Sequence, residues 1–285
     1  MPAPLANVHG EIVPLDQVKV SVLDRGFLFG DAVYEVLRVY RGRPFLEQEH
    51  FDRLARSLAE LRIEGVDVER LRRRMHETLR AGGFGEATVY LQVTRGVAPR
   101  KHAFPKGVAP YELLWVNEYE DTLAAARRDG VGVLLQPDLR WHRCDVKSTN
   151  LLGNVLANQA AAEAGCAEAL LYLPDGTITE ASHSSVFGVA GGALYTTPRA
   201  ANILPGITRG LVMRLAERAG IPEQEQSLTR AELERIDELF LTGTTYEVLP
   251  VTRVDRRPVG DGKPGPLTRH LQAVYAEMLQ EFVSK

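Results

Sequence analysis

Lysine is scarce in this sequence. Only six of the 34 basic residues are lysine, and the remainder are arginine. A reaction that needs a primary amine therefore has few candidates, namely Lys19, Lys101, Lys106, Lys147, Lys263 and Lys285.

Other absences exclude whole classes of protein. Neither the two cysteines, Cys144 and Cys166, nor the seven histidines follow a metal-ligand spacing, so we expect no metal centre. The first residues do not resemble a signal peptide, and no run approaches the roughly 18 apolar residues of a membrane span. We therefore expect a cytoplasmic protein with free thiols and no membrane partner. The net charge of -3 gives no basic excess that would attract nucleic acid.

The length of 285 residues suggests about two domains. Short strands occur in hairpin-like groups between helices, which favours a mixed α/β (α+β) fold over one doubly wound sheet. We predict an N-terminal α/β domain over residues 1–119, a charged and alanine-rich linker over 120–130, and a C-terminal α/β domain over 131–285.

Hydrophobic periodicity predicts the main elements. Helices are predicted at 47–62, 67–81, 150–164 and 208–219, and a closing amphipathic helix at 267–282. Strands are predicted at 18–22, 33–40, 88–94, 113–116, 131–135, 168–173, 185–190, 193–197, 239–242 and 248–254.

Lys147 is the lysine whose surroundings best suit chemistry. A lysine amine is a nucleophile only when partly deprotonated, which needs burial or a nearby positive charge. The other five lie in turns, in a loop, on the wet side of a predicted strand or at the C-terminus. Lys147 lies between an aromatic and cationic segment and the start of an apolar helix. A solvated lysine remains the simpler interpretation of this context.

Two further segments could hold a phosphate. Gly206 and Thr208 stand at a predicted helix start, where backbone N–H groups and the helix dipole favour anions. Thr244, in a hydroxyl-rich turn after an apolar strand, and Arg53, on the first helix, could add contacts. An ordinary helix cap explains the helix start equally well. A β-turn is the simpler interpretation of the Thr244 segment, and a surface arginine is the simpler interpretation of Arg53.

A carboxylate and a basic pair are the remaining candidates. Glu180 follows a Thr/Ile alternation among hydroxyl residues and could pair with a ring nitrogen. Arg100 and His102, two residues apart in a proline-bounded loop, could clamp a substrate carboxylate. The simpler interpretations are a turn residue and a mobile basic loop.

Together these segments resemble the fold-type-IV pyridoxal-phosphate enzymes (class IV aminotransferases), and within them the D-amino-acid transaminases. The similar segments are DRGFLFGDAVYEVLRVY (24–40), EHFDRL (49–54), VTRGVAPRKHAFP (93–105), RWHRCDVKSTNLLGN (140–154), TEASHSSVFG (179–188) and LPGITR (204–209). They occur in the family's order and span nearly the whole chain.

The resemblance implies roles around the cofactor, pyridoxal 5'-phosphate. Lys147 would bind it as a Schiff base and then move a proton as general base and acid. Glu180 would accept a hydrogen bond from the protonated ring nitrogen, and Leu204 would pack against the ring. The phosphate would be held by Arg53, the Ile207 and Thr208 amides, the Thr208 hydroxyl and Thr244.

The resemblance also implies a substrate site and a partner. Tyr34, Arg100 and His102 would bind the α-carboxylate of the substrate. In the family the arginine and histidine reach in from the neighbouring subunit, which implies a homodimer.

Several positions depart from the family pattern. His183, between Ser182 and Ser184, stands where a serine is usual, and Ser185 stands where asparagine is usual. Three of these residues, Ser182, His183 and Ser184, are candidates for positioning the residues that contact the cofactor.

Three more departures lie nearby in the sequence. His142 replaces an apolar residue, and Gly243 and Tyr246 replace small hydroxyl residues near the expected phosphate. The two histidines, His183 and His142, bear on side-chain preference and pH dependence more than on cofactor binding.

The expected function is therefore a D-amino-acid transaminase that exchanges the amino group of D-alanine or D-glutamate with 2-oxo acids by a ping-pong mechanism. The same fold also serves branched-chain (L) aminotransferases, R-amine transaminases and aminodeoxychorismate lyases. A non-enzymatic cofactor-binding or metabolite-binding protein is the other alternative, which the intact lysine, carboxylate and phosphate set disfavours.

Overall fold

The computed structural model describes residues 4–200 and 202–284. They form two compact units, one of residues up to Glu120 with Val146–Asn150, and one of Asp121–Asp145 with residues from Leu151 onward. The division after Glu120 lies one residue from the predicted domain end. Lys147, however, groups with the first unit, because its segment is hydrogen-bonded to a strand there.

The first unit is a six-stranded antiparallel sheet with helices packed on it. Its strands are β1 (Leu5–Val8), β2 (Glu11–Pro14), β3 (Ala32–Tyr40), β4 (Arg43–Pro44), β5 (Ala87–Thr94) and β6 (Tyr111–Glu118), in the order β2-β1-β6-β5-β3-β4. Its helices are α1 (Arg25–Phe29), α2 (Glu47–Glu60) and α3 (Val68–Gly82).

Alternation along the central strands builds the core of this unit. Val33 and Leu37 on β3 and Leu91 on β5 are at most 1% exposed, and they share a cluster with Phe51 of α2 and Met75 of α3. One apolar face of the sheet is thus covered by the apolar stripes of two helices.

The ends of α3 follow the expected capping rules. The Asp67 side chain accepts a hydrogen bond from the Arg70 N–H, and Gly83 closes the helix in the left-handed conformation at φ +67°. The C-terminal cap of α3 is therefore Gly83.

The strand predicted at Val18–Val22 is wrong. A 3-10 turn at Leu15–Gln17 precedes an extended segment that pairs with none of the described strands, and Val20 and Val22 are 45% and 70% exposed. Alternating valines favour a strand only where a partner strand is available to bind the backbone.

The second unit is a nine-stranded mixed sheet. Its strands are β7 (Val131–Pro137), β8 (Glu168–Tyr172), β9 (Ile178–Ala181), β10 (Ser185–Ala190), β11 (Ala193–Thr196), β12 (Glu223–Glu225), β13 (Glu238–Gly243), β14 (Glu247–Val254) and β15 (Arg257–Pro258). The order is β12-β11-β10-β13-β14-β7-β8-β9, and β15 pairs with β14.

Four helices belong to this unit, namely α4 (Ala124–Asp129), α5 (Leu152–Glu163), α6 (Ile207–Arg218) and α7 (Pro266–Ser284). The predicted linker at 120–130 thus contains α4. Helix α5 connects the parallel strands β7 and β8, as crossovers between parallel strands usually do.

The apolar residues of α5 are only partly buried. Ala157 and Ala161 face the sheet, whereas Leu152, Val155 and Leu156 are 57–72% exposed. Among the described helices, none combines the length and apolar character required to cross a membrane.

Candidate active site

The lysine segment extends the sheet of the first unit beside β3, at the start of that strand. The Tyr34 N–H donates to the Lys147 carbonyl at 3.0 Å, and the Thr149 N–H donates to the Ala32 carbonyl at 3.1 Å. The backbone around Lys147 is therefore fixed by main-chain hydrogen bonds.

The Lys147 side chain is half-buried and lies over an aromatic stack. Its Nζ is 4.3 Å from the centroid of the Tyr34 ring. The Tyr34 ring stacks on Tyr90, which stacks on Trp115 with centroids 3.9 Å apart. The ring faces give the amine a defined place, so two predicted site residues, Lys147 and Tyr34, are adjacent.

Arg53 lies at the centre of a buried charge cluster. Its guanidinium binds both oxygens of Glu35, with Nε–Oε1 at 2.7 Å and Nη2–Oε2 at 2.9 Å. The His50 ring is 2.7 Å from the same carboxylate, and all three residues are at most 7% exposed. Arg53 is thus held in one orientation rather than lying on the surface.

The charge cluster shifts two pKa values. Burial alone would raise the pKa of Glu35, but the charge of Arg53 and the hydrogen bonds from Arg53 and His50 lower it to about 2. Burial lowers the pKa of His50 against the pull of Glu35. Glu35 is therefore an anion that orients the arginine proposed for the phosphate.

Glu35 and His50 are absent from the sequence-based site. The signal for Glu35 was nevertheless present, because it lies between Val33 and Leu37 on the core face of β3, where a charged residue needs a partner. His50 and Arg53 follow at i and i+3 of α2, and so they share one helix face.

Arg100 and His102 lie on the loop between β5 and β6 with exposed side chains. Both are near the ring of Phe29, at 5.3 Å from its centroid for the Arg100 guanidinium and 5.4 Å between ring centroids for His102. The two predicted carboxylate ligands are therefore close to each other at the surface of the first unit.

Glu180 belongs to the second unit and is a strand residue, not a turn residue. It lies on β9, is 6% exposed, and accepts the Leu204 N–H at 3.2 Å on both oxygens. Arg140 Nη1 lies 2.5 Å from Oε1, and the same guanidinium binds Asp138 in bidentate fashion at 2.8–2.9 Å. Asp138 and Arg140 are contacts that sequence reasoning missed.

The setting of Glu180 suits a cationic ring nitrogen. Burial raises its pKa to about 7, although the charge of Arg140 and its hydrogen bonds oppose this shift. Because Arg140 is shared between Glu180 and Asp138, its charge does not fully offset the effect of burial. The pKa of Glu180 therefore lies near neutral pH. A protonated pyridine nitrogen beside it would favour the ionised form, and the donor set therefore fits the cofactor.

The start of α6 fits a phosphate. Ile207 and Thr208 form its first turn after Gly206, and Thr208 is 5% exposed. A Cβ on Gly206 would lie 2.5 Å from the Ser185 hydroxyl, so only glycine keeps this approach open. The N–H groups of a helix start and nearby hydroxyls form an anion site.

Thr244 lies half-buried in the turn between β13 and β14. On β13 itself Thr242 pairs in register with Ser185, is 2% exposed, and has an Oγ1 without a partner among the described residues. Thr242 is a buried hydroxyl that the sequence did not single out.

The residues after β9 form a hydrogen-bonded cluster around Glu168. This fully buried carboxylate accepts from the His183 N–H at 2.5 Å and the Ser184 hydroxyl at 2.8 Å, and the Ser182 hydroxyl is 3.3 Å away. The His183 ring is 3.2 Å from Glu168 and 3.0 Å from the Tyr246 hydroxyl. The two unusual residues, His183 and Tyr246, therefore bind each other.

His142 is exposed and Gly243 ends β13, and the structure assigns neither of them a role at the site. In the described ranges, 4–200 and 202–284, no three histidine, cysteine or acidic side chains are grouped as a metal would require.

An enzyme that uses a phosphorylated cofactor needs a reactive amine, a carboxylate and an anion site. This chain has a lysine over an aromatic stack, a buried carboxylate with a pKa near neutral, and a helix start that no side chain caps. The family comparison agrees, because residues 32–254 match the amino-transferase class IV family. This match covers more than half of the chain, and the protein belongs to that family. The predicted family, fold and pyridoxal-phosphate aminotransferase chemistry are thereby confirmed.

Individual relatives cover almost the whole chain. The D-alanine aminotransferase of Staphylococcus haemolyticus is 39% identical over 278 residues, which are 96% of this chain and 97% of the relative. That of Bacillus licheniformis is 40% identical over 265 residues, 93% of each. Among solved structures, the branched-chain amino acid aminotransferase of Escherichia coli is 27% identical, with a TM-score of 0.89 over 95% of this chain and 92% of that one.

The charge cluster of Glu35, His50 and Arg53 predicts how the stability of the fold depends on acidic pH. Because the folded pKa of Glu35, about 2, lies below its ordinary value of 4.5, the stability it contributes is present above pH 4.5 and is lost as the pH falls towards 2. We expect Glu35→Gln to be less stable than the wild type at pH 6, because it removes the negative charge that Arg53 and His50 contact in the buried cluster. It should also show a flatter fall in stability between pH 4.5 and 2.

Urea unfolding midpoints followed by circular dichroism across this pH range measure the effect. Glu77→Gln, an exposed change on α3, is the control and should follow the wild type. Parallel pH curves for Glu35→Gln and the wild type would show that Glu35 is not the titrating group.

Proposed function

We propose that this protein is a pyridoxal-phosphate-dependent D-amino-acid transaminase, which exchanges amino groups between D-amino acids such as D-alanine or D-glutamate and 2-oxo acids. The observation that supports this most is the presence of Lys147 and Glu180, both fixed by main-chain contacts, in a chain similar to D-alanine aminotransferases over 96% of its length.

Lys147 is the proposed catalytic residue. Its amine would hold the cofactor, and once freed by substrate it would accept the proton from the substrate Cα as general base and later donate a proton as general acid. The hydrogen bond from the Tyr34 N–H to the Lys147 carbonyl fixes the backbone, and the ring of Tyr34, 4.3 Å from Nζ, gives the amine a defined place.

Glu180 is proposed to hold the ring nitrogen. When bound, the cofactor supplies an electron sink for the electrons of the broken Cα–H bond, which requires a protonated ring. Arg140 fixes one oxygen of Glu180, and the Leu204 N–H contacts both. The carboxylate therefore keeps a fixed direction while it stabilises the positive ring nitrogen.

The phosphate is proposed to bind one charged group and several hydrogen-bond donors. Arg53 would supply the positive charge, with its direction set by Glu35. The Ile207 and Thr208 amides, the Thr208 hydroxyl and Thr244 would supply hydrogen bonds. An anion at a helix start is stabilised by the helix dipole as well as by these donors.

The substrate α-carboxylate is proposed to bind Tyr34, Arg100 and His102. An arginine paired with a histidine gives a charge-assisted contact for a carboxylate, and its place relative to Lys147 would decide which enantiomer presents its Cα–H bond. A branched-chain L-aminotransferase is the second candidate, because the solved structures with similar folds include enzymes of that name.

We further propose a cytoplasmic homodimer in which Arg100 and His102 of one subunit complete the site of the other. The exposed side chains of Leu152, Val155 and Leu156 on α5 support a partner, since large apolar patches on a surface are typical of interfaces. The two cysteines, which form no disulfide, agree with a reducing compartment.

The substrate series is tested with a panel of D- and L-amino acids and 2-oxoglutarate. We expect ping-pong kinetics, with D-alanine turned over faster than L-leucine or L-isoleucine. Lys147→Ala should lower kcat by at least about a thousandfold, because no other amine can move the proton. Faster turnover of L-leucine would favour the branched-chain alternative, and pyruvate release from aminodeoxychorismate without a 2-oxo acid would favour a lyase.

The role of Glu180 is tested by Glu180→Gln. We expect kcat for D-alanine to fall by about a hundredfold to a thousandfold, because the neutral amide does not stabilise a protonated ring. Visible absorbance of the bound cofactor should shift as well, whereas Glu163→Gln, an exposed change on α5, should alter neither. Unchanged kcat and absorbance in Glu180→Gln would contradict the assignment.

The shared site is tested by complementation between two impaired variants. Lys147→Ala and Arg100→Ala, unfolded and refolded together, should recover the wild-type KM at about a quarter of the sites, because about half of the dimers are mixed and each mixed dimer has one intact site. Each variant refolded alone is the control. If the mixture contains no sites with the wild-type KM, Arg100 serves its own subunit.

A further inference from the structure

Arg25 is a buried arginine that the proposed mechanism does not use. It begins α1, and its side chain is 4% exposed. Its Nη1 donates to the Lys101 carbonyl at 2.6 Å and its Nη2 donates to the His102 carbonyl at 3.2 Å. One guanidinium thus holds two successive carbonyls of the loop that carries Arg100 and His102.

Asp31 fixes this arginine in place. Its Oδ2 accepts from Arg25 Nε at 2.8 Å, and the same carboxylate accepts from Arg95 Nε at 2.8 Å and Nη2 at 3.0 Å. Arg95 in turn donates to the carbonyls of Leu61 and Arg62, at 2.6 and 2.7 Å. The three charged residues therefore connect the loop to the end of α2.

Aromatic contacts brace the same loop at two places. The Phe29 ring lies 4.9 Å from the Arg25 guanidinium and 5.3 Å from that of Arg100. Further along, the Phe104 ring lies 3.6 Å from the Arg95 guanidinium and 4.8 Å from that of Arg62. Each ring lies within the range in which such pairs stabilise one another.

The base of the loop is anchored by the backbone. The Arg25 N–H donates to the Gly96 carbonyl at 3.0 Å, and the Ala98 N–H donates to the Leu23 carbonyl at 3.3 Å. Gly96 has φ +99°, and a Cβ there would lie 2.1 Å from the Ala109 carbonyl oxygen. The loop therefore has a fixed base and a fixed middle.

In the loop that carries Arg100 and His102, the backbone is anchored while these two side chains are exposed. The carbonyls at 101 and 102 bind a buried guanidinium, yet the Arg100 and His102 side chains are exposed. A loop with only a connecting role would not need a buried, charged anchor, which is costly to desolvate. Fixing the backbone beneath two exposed side chains holds them in one relative geometry.

We infer that Arg25, oriented by Asp31 and Arg95, is a positioning residue for the substrate carboxylate site, and that it acts by fixing the backbone under Arg100 and His102. This inference rests on the proposed function, in which those two side chains bind the carboxylate. Arg25 does not contact substrate. It sets the distance between the two donors, on which carboxylate recognition depends.

A double-mutant cycle separates positioning from general stabilisation. The variants are Arg25→Gln, Arg100→Ala and both together. Arg74→Gln is the matched control, because Arg74 also joins a carboxylate, Glu112, to a backbone carbonyl, that of His9, in the same unit. The measurements are KM and kcat for D-alanine and 2-oxoglutarate, and the absorbance of the bound cofactor.

We expect Arg25→Gln to raise KM for both substrates by about tenfold or more, with the cofactor absorbance unchanged. In the Arg100→Ala background the same change should raise KM by a clearly smaller factor, because one of the two contacts that Arg25 positions is already lost and only that of His102 remains. Arg74→Gln should leave both KM values as in the wild type. An equal effect of Arg25→Gln in both backgrounds would overturn the inference, as would a wild-type KM.

A second variant and the effect of Arg100→Ala alone distinguish failure of the positioning role from failure of the proposed carboxylate site. If Arg25→Gln does not fold, Asp31→Asn removes the charge that orients Arg25 and should raise KM in the same direction by a smaller factor. If Arg100→Ala itself leaves KM unchanged, the proposed carboxylate site is wrong. If Arg100→Ala raises KM while Arg25→Gln and Asp31→Asn do not, only the positioning role is wrong.

Discussion

Pairing between arginine and buried carboxylates is the interaction on which the active-site structure depends. It occurs at Glu35 with Arg53, at Asp31 with Arg25, and at Glu180 with Arg140. An ionised carboxylate is costly to bury unless a cation and hydrogen bonds compensate it. Each pair therefore fixes a side chain that a loop or strand alone would leave mobile.

This requirement favours arginine over lysine at these positions. A guanidinium has five donors in a planar fork, so it can bind a carboxylate and a backbone carbonyl together, as Arg25 does with Asp31 and the loop carbonyls. An ammonium group lacks that geometry. Covalent binding of a cofactor, proposed here for Lys147, needs lysine instead, because its amine can lose a proton and form a covalent bond whereas a guanidinium stays protonated.

The elements themselves were largely predictable. The helices at 47–62 and 67–81 and the strand at 33–40 agree with α2, α3 and β3 to within two residues, since their periodicity reflects which face is buried. The Val18–Val22 segment has the same local pattern but pairs with none of the described strands. Helix α5 shows that a helical hydrophobic period does not always mark a buried face. The helix is present as predicted, but the apolar side chains of Leu152 and Leu156 face outward.

Resemblance of several sequence segments to a known family was enough to predict the family and the candidate positions Lys147, Glu180 and the start of α6, and hydrophobic periodicity predicted the order of most main elements, because both can be read along the chain. Only the tertiary structure shows which charged side chains pair with one another. Glu35 binds Arg53 from 18 residues away, Arg140 reaches Glu180 across 40 residues, and Arg25 holds the carbonyl of Lys101 across 76. Such pairs depend on which strands and loops become neighbours, and no local pattern records that choice.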